Sequence, residues 1–250
     1  MSYTLGELMV AAAAREIGDG EVVFVGMRLP LIAFVVAKQT HAPNCVGLFE
    51  NGVIRTQPAP ELIYTMADPP NLLHATQCLD MMGVMTLLQS GRVHLGFLGA
   101  AEGDRFGNLN STEVHGKRGV IRLPGSGGAC DIASLAQRFV AVIDHEPHRL
   151  PERVSYITSP GNGDGTGWRR RVGLPGGGPS ALITNKAVLR FGNDGEAYLH
   201  SHHPGVSVED VLASTGWKLR VSEDLTTTQE PSAVELSAIR EYDEEGFWTS

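Results

Sequence analysis

The stretch Phe49-Glu50-Asn51-Gly52 puts a carboxylate directly after an apolar run, Val46-Gly47-Leu48-Phe49. A glutamate at the end of a buried strand is partly stripped of water, which makes it a better nucleophile. Asn51-Gly52 lets the chain reverse there, so that the carboxylate can face a cleft. Read alone, the same residues also describe an ordinary Asn-Gly turn with a solvated glutamate. A second stretch, Leu123-Pro124-Gly125-Ser126-Gly127-Gly128-Ala129-Cys130-Asp131, runs into the helical residues Ile132-Ala133-Ser134. Glycines ahead of a helix can offer backbone N–H groups to an anion or a developing oxyanion. The spacing is not that of a dinucleotide loop, and a tight strand-to-helix turn fits equally well. A third stretch, Gly99 to Thr112, carries Asn108 and Asn110, whose amides could position a carboxylate or a thioester; a well-packed loop is the alternative. A fourth holds Trp168 and the basic run Arg169-Arg170-Arg171 within glycine-rich sequence. It suits phosphates, a solvated loop or a subunit contact.

Other residues suggest chemistry less well. In strand alternation His203 faces away from His200 and His202, and no Asp or Cys completes a metal site, so no metal is expected. Cys45, Cys78 and Cys130 lie in apolar contexts, too widely spaced for a disulfide framework or zinc. No Gly-x-Ser-x-Gly elbow supplies a serine nucleophile.

The elements that must position these residues follow from pattern. Thr4-Leu5-Gly6-Glu7 fits a capping box ahead of an Ala-rich helix to Ile17. Val22 to Val25, Val46 to Phe49 and Leu95 to Gly99 read as buried parallel strands. Pro30 opens a helix to Ala37, and Leu72 to Gln89 reads as a helix. Further on, Phe139 to Ile143 and Val154 to Thr158 read as strands. Ala181 to Phe191 and Ala197 to His200 read as a hairpin around Asn193-Asp194-Gly195, with helices over Ser207 to Ser214 and Ser232 to Tyr242. This alternation predicts an α/β fold: a mostly parallel central sheet with helices on both faces and some added β-hairpin structure. No linker divides it, so one domain over residues 1–250 is expected. In such sheets chemistry collects beyond the carboxyl ends of strands, which selects Gly26 to Pro30, Glu50 to Gly52 and Gly99 to Asn110.

The composition bounds the function. Twenty basic against 28 acidic residues give a net charge of −8, which argues against nucleic acid and against a basic membrane surface. No apolar run approaches the roughly 20 residues of a membrane span. The opening Met-Ser-Tyr-Thr has no signal-peptide character, so a reducing cytoplasm is expected.

Taken in order, the motifs resemble one family. They are Val25-Gly26-x-x-Leu29-Pro30, Glu50-Asn51-Gly52, Gly99-Ala100-Ala101-x-x-Asp104-Arg105-Phe106-Gly107-Asn108-x-Asn110-Ser111-Thr112 and Leu123 to Ala129. Thr158-Ser159-Pro160-Gly161, Gly173-Leu174-Pro175-Gly176, His203-Pro204-Gly205 and Thr215-Gly216-Trp217 follow. The pattern resembles the β (B) subunit of class I CoA-transferases, in the glutaconate and 3-oxoadipate branch, from about residue 5 to about residue 240. The resemblance implies the CoA-transferase fold, related to NagB and RpiA. It implies a ping-pong mechanism in which Glu50 attacks an acyl-CoA thioester and then carries CoA as a glutamyl thioester. The backbone of Gly127 and Gly128 matches the loop credited with oxyanion stabilisation. Asn51 would assist beside Gly52, and Asn108, Asn110 and Ser126 would contact substrate.

By the same resemblance no metal or redox cofactor is required and none is bound permanently. Coenzyme A and acyl-CoA act as substrates, with a small carboxylic or dicarboxylic acid. An α subunit is implied as partner, in a hetero-oligomer such as α2β2 or α4β4. The chain departs from the family at Arg28, which stands in place of a small residue and could pair with a distal substrate carboxylate or block one. A CoA-thioester decarboxylase or hydrolase on the same scaffold is the alternative enzyme, and a non-catalytic subunit or sensor the alternative outside catalysis.

Overall fold

A computed structural model describes residues 2–116 and 119–250. In chain order the elements begin with α1 (Leu5–Ala14), β1 (Val22–Phe24), α2 (Leu29–Gln39), β2 (Val46–Leu48), β3 (Val53–Arg55), β4 (Gln77–Cys78), α3 (Met81–Gln89) and β5 (Leu95–Gly99). Next come β6 (Glu102–Gly103), β7 (Leu109–Asn110), β8 (Glu113–Gly116), β9 (Gly119–Arg122), α4 (Ala129–Leu135) and β10 (Arg138–Val142). The chain continues with α5 (Trp168–Arg171), β11 (Pro179–Ile183), β12 (Ala187–Phe191), β13 (Ala197–His202), α6 (Val208–Ala213), β14 (Arg220–Thr227) and α7 (Ala233–Tyr242). Two compact units divide them: residues 1–97 with 229–250, and residues 98–228.

In the first unit the strands run in the order β5-β1-β2-β3-β4. The pairs β5–β1 and β1–β2 are parallel, and β2–β3 and β3–β4 antiparallel. The parallel strands are short and apolar. The helices around them are apolar on every side, and such helices are buried: α1 is buried from Glu7 to Ala14 and α2 from Pro30 to Lys38. The predicted capping box is present. Thr4 Oγ1 accepts from the Glu7 amide at 3.1 Å, and Glu7 Oε2 accepts from the Thr4 amide at 2.8 Å. A second one, Ser232 with Glu235, starts α7.

The helix expected across Leu72 to Gln89 occupies only its second half. Asp80 caps α3 by accepting from the Gly83 amide at 2.8 Å. Ahead of it His74 takes φ 56°, and the Thr76 amide donates to the Ile54 carbonyl at 2.9 Å. That bond draws the chain onto β3 as β4. The long excursion between β3 and β4 is gathered by Arg55, 1% exposed. Its guanidinium donates to the carbonyls of Gln57, Asn71, Pro58 and Leu73 at 2.6–3.0 Å.

In the second unit the order is β10-β11-β12-β13-β14. Pairs β10–β11 and β13–β14 are parallel, while β11–β12 and β12–β13 are hairpins. The predicted hairpin around Asn193-Asp194-Gly195 is thus β12–β13, and residues 181–191 fold back once more at Thr184 to Lys186. The small ladders β6–β7 and β8–β9 stand apart from this sheet. Val154 to Thr158 forms no strand. Its polar groups bond instead to carboxylates and loops: Glu102 accepts from the Ser155 amide at 2.8 Å and from its hydroxyl at 3.0 Å. Parallel strands with added antiparallel hairpins therefore occur in both units, as the α/β pattern predicts.

Two buried histidines tie the loops of this unit. His145, 1% exposed, lies between the hydroxyls of Thr184 and Thr215, both at 2.9 Å. His203, also buried, lies between the Thr228 hydroxyl at 3.0 Å and the Thr184 carbonyl at 2.7 Å. Burial, and then the positive charge of Lys186, push His145 down to about 4. Burial likewise lowers His203. The unfolded chain therefore binds more protons than the folded one between about pH 4 and 6.5. Stability is full above that window and falls as pH drops through it. Thermal unfolding followed from pH 7 to 5 should show the melting temperature falling, with a shallower slope in His145→Gln. Arg55→Lys, which cannot reach four carbonyls, should destabilise the chain by about 2 kcal/mol or more in urea titration.

Candidate active site

The pairing of β1 with β2 aligns two strand exits. Val22, Val23 and Phe24 stand opposite Val46, Gly47 and Leu48, and the Val25 amide donates to the Leu48 carbonyl at 2.8 Å. Gly26 thus follows the exit of β1 and Glu50 the exit of β2, at the same end of the two paired strands. The first exit leads through Gly26 into α2, and the second turns back at once into β3.

That turn is tight. The Phe49 amide bonds the Val53 carbonyl at 2.8 Å and the Gly52 amide bonds the Phe49 carbonyl at 2.9 Å. Phe49 beneath it is 1% exposed, and Glu50 rides half-buried above. Gly52 takes φ 102°, a region that side chains avoid. A Cβ there would lie 2.1 Å from the Leu79 carbonyl oxygen. Asn51 is exposed, but its side chain is already bonded: Nδ2 donates to the Met66 carbonyl at 2.6 Å and Oδ1 accepts from the Val53 amide at 3.3 Å. It fastens the turn to the excursion that Arg55 gathers.

Arg28 stands at the N-cap of α2 with φ 65° and ψ −128°. For a residue with a Cβ this backbone costs on the order of 1–3 kcal/mol. Its exposed guanidinium lies 5.4 Å from the ring centroid of Trp248. Sequence reasoning found Arg28 but missed Trp248. The ring is held by the turn after α7, where Asp243 accepts from the amides of Phe247, Trp248 and Thr249 at 2.8–3.1 Å. No local signal in the sequence pairs Trp248 with Arg28, some 220 residues away.

In the second unit the glycine loop runs from β9 into α4. The Gly125 amide donates to the Ser111 carbonyl, and the Ser111 hydroxyl to the Gly125 carbonyl, both at 2.8 Å. Ser126 and Gly127 are exposed, Gly127 at φ 47°, and Gly128 is the buried N-cap of α4. The Ser126 hydroxyl bonds the Gly127 carbonyl at 3.0 Å.

Asn108 and Asn110 are wholly buried and hydrogen-bonded within the loop. Asn108 Oδ1 accepts from the amides of Gly161 and Gly163 at 2.9 and 3.1 Å, and its Nδ2 donates to Asp104 and to the Gly163 carbonyl. Asn110 Nδ2 donates to Glu102 at 2.7 Å and to the Glu113 carbonyl at 2.6 Å. Both therefore hold the loop's shape. Asp104 is 1% exposed, and burial raises its carboxyl against the Asn108 and backbone bonds that lower it.

Arg169 plays a similar part. It donates to five carbonyls, those of Gly176, Pro160, Gly161, Ala133 and Ser134. Burial pushes it down to about 10, which leaves it cationic at neutral pH. Arg171 pairs with Asp164. Of the basic run, buried Arg169 and exposed Arg170 border, with Trp168, the open hollow of about 670 Å³ in this unit.

Glu50, Asn51 and Gly52 thus share one turn in the first unit, which also holds Arg28. Ser126, Gly127, Gly128, Asn108 and Asn110 lie in the second.

The family model described as coenzyme A transferase matches residues 7–214. The β (B) subunit of the 3-oxoadipate CoA-transferase of Pseudomonas knackmussii is 37% identical, over 96% of this chain and 93% of its own. The corresponding β (B) subunit of the glutaconate CoA-transferase of Acidaminococcus fermentans is 35% identical over 96% of this chain and 92% of its own. The crystal structure of the latter enzyme superposes with a TM-score of 0.90 at 31% identity, covering 100% of this chain and 98% of that one. The decarboxylase AibA/AibB superposes with a TM-score of 0.84 at 27% identity, covering 98% and 97%. A family model over residues 7–214, relatives at 35–37% identity over 96% of the chain and the superposed fold agree: the chain belongs to the coenzyme A transferase family.

Proposed function

We propose that this chain is the β subunit of a heteromeric CoA-transferase and that Glu50 is its covalent nucleophile. The observation that carries the reading is the position of Glu50, half-buried on a turn built around Gly52 at the carboxyl end of β2. A Glu50 carboxylate oxygen attacks the thioester carbonyl of an acyl-CoA. The tetrahedral oxyanion collapses to an acyl–glutamyl anhydride and expels CoA thiolate. The thiolate attacks the glutamyl carbonyl, forming glutamyl-CoA and releasing the donor acid. The acceptor carboxylate repeats the sequence in reverse and leaves as its CoA thioester. No electron is transferred overall, and the enzyme itself carries the group, so CoA serves as substrate and no resident cofactor is needed.

Each attack develops an oxyanion, and fixed N–H donors stabilise it where water is excluded. We assign that role to the backbone at Gly127 and Gly128. An α subunit supplies the remaining part of the site, as the names of the β-subunit relatives suggest. The acids are small carboxylates of the kind those relatives are named for. Among the described residues no helix is long and apolar enough to cross a membrane. Three cysteines, none in a disulfide, suit a reducing cytoplasm. Decarboxylation is the second reading, favoured by the superposition with AibA/AibB.

Initial-rate kinetics of the chain co-expressed with its α subunit should give the parallel lines of a ping-pong reaction. Intersecting lines, or loss of acyl-CoA with release of CO2 and no acyl transfer, would contradict the reading. Glu50→Gln should lower kcat by on the order of 10⁴-fold. Gly52→Ala displaces the same turn and should lower kcat by about 100-fold.

A further inference from the structure

The hollow of about 670 Å³ in the second unit lies between the loop after Pro160 and the β12–β13 hairpin. Its volume falls within the roughly 300–1,000 Å³ of sites that take small organic ligands. Arg169 and Arg170 border it, and no aspartate or glutamate among the described residues does. Two acids stand close in sequence, but Asp164 is paired with Arg171 and Asp194 with Arg220. In a chain of net charge −8, two arginines facing a hollow without an acid favour an anion there.

Arg169 sharpens this. It is 7% exposed, and its bonds all run to neutral carbonyls. Burial alone lowers its pKa, so no carboxylate offsets the charge. A buried cation without a counter-ion is costly, and a bound anion removes part of that cost. Arg170 is exposed, and among the described residues it has no ion-pair partner.

The hollow also has an aromatic wall. A Cβ on Gly163 would lie 2.0 Å from Cδ2 of Trp168 and 2.3 Å from its Cγ and Cε2. Those atoms surround the ring fusion, so the indole rests on Gly163 by a face. Gly163 is fixed in turn. Its amide donates to Asn108 Oδ1 at 3.1 Å, and its carbonyl accepts from Asn108 Nδ2 at 2.8 Å and from Arg153 Nη1 at 3.1 Å. Trp168, half-buried on this support, borders the hollow with a ring that cannot retreat. Asn162 ties the loop to the hairpin by donating to the Gly195 carbonyl at 3.0 Å.

Side chains two apart in a helical turn diverge by about 200°, so the Trp168 ring and the Arg170 cation stand apart. A ligand that meets both must separate its ring from its charge. A nucleotide does so, with a sugar between base and phosphate, and its nearly dianionic phosphate matches two arginines. A compact aromatic acid does not. None of Glu50, Gly127 and Gly128 borders the hollow. We propose that it binds a free nucleoside monophosphate, the base stacked on Trp168 and the phosphate paired with Arg170 in the field of Arg169. This goes beyond the transferase reading and stands whether or not Glu50 carries CoA.

The test is calorimetric titration of the chain in complex with its α subunit, with AMP, GMP, CMP and UMP as probes. At least one should bind, at one site per chain. Arg170→Gln should weaken it at least about 10-fold, while Arg170→Lys, which keeps the charge, should retain most of the affinity. Arg170 is exposed, so both variants should melt with the parent. Trp168→Leu should weaken binding by about 5- to 100-fold through lost stacking. Saturating CoA should leave the nucleotide's affinity unchanged. Binding of none of the four nucleotides overturns the proposal, as does an affinity unchanged in Arg170→Gln. Inorganic phosphate bound as tightly as the nucleotide removes the role of Trp168 and overturns it too. Competitive displacement by CoA would give the hollow to the substrate and overturn a site for a free nucleotide.

Discussion

Residue 52 has no room for a side chain, and the turn that carries Glu50 depends on this. With a Cβ that would lie 2.1 Å from the Leu79 carbonyl oxygen, only glycine lets the exit of β2 close against the approach to α3. The Leu79 amide then bonds the Gly52 carbonyl at 2.9 Å, and the two backbones become one unit. Buried Phe49 anchors the turn below, and Asn51 ties it sideways to Met66. A carboxylate that must attack a thioester gains from this rigidity. A near-attack geometry already imposed by the backbone removes an entropic cost at the moment of reaction.

The loops that surround such sites are long, and their backbone groups need partners wherever they are buried. Both units meet this need with single polar side chains that each satisfy several main-chain groups. Arg55 serves four carbonyls and Arg169 five. Asp104 and Asp243 do the converse, each accepting from several amides. A guanidinium suits the first task because its five donors lie in one plane and its charge survives burial. The consequence for function is a division of labour. Polar residues that look like ligands in the sequence divide into those that build loops and those left facing outward, such as Arg28.

That division explains what could be read beforehand. Short apolar runs mark β1, β2 and β5, because a strand buried on both faces reads as a near-continuous apolar run. Thr4 with Glu7 and Ser232 with Glu235 mark two helix starts by their reciprocal bonds. Glu50 was legible because a charged residue so close to a buried strand calls for a reason. The helix expected from Leu72 failed because local apolar spacing does not register the pull of β3 on Thr76. The strand expected at Val154 failed because the carboxylates of Glu102 and Asp104, about 50 residues earlier, take up its amides. Asn108 and Asn110 carry the residue types of a binding loop, but burial, which sequence does not reveal, makes them scaffold. Trp248 was invisible as a partner of Arg28 because the two are brought together only by the return of α7.

The central claim is that Glu50 becomes covalently linked to CoA. The most direct measurement is mass spectrometry of the complex incubated with acyl-CoA and reduced with borohydride, which converts a glutamyl thioester to the corresponding alcohol. The mass change is expected on the peptide containing Glu50, should require acyl-CoA, and should vanish in Glu50→Gln. An unmodified Glu50 peptide, recovered while acyl-CoA is being turned over, would contradict the claim.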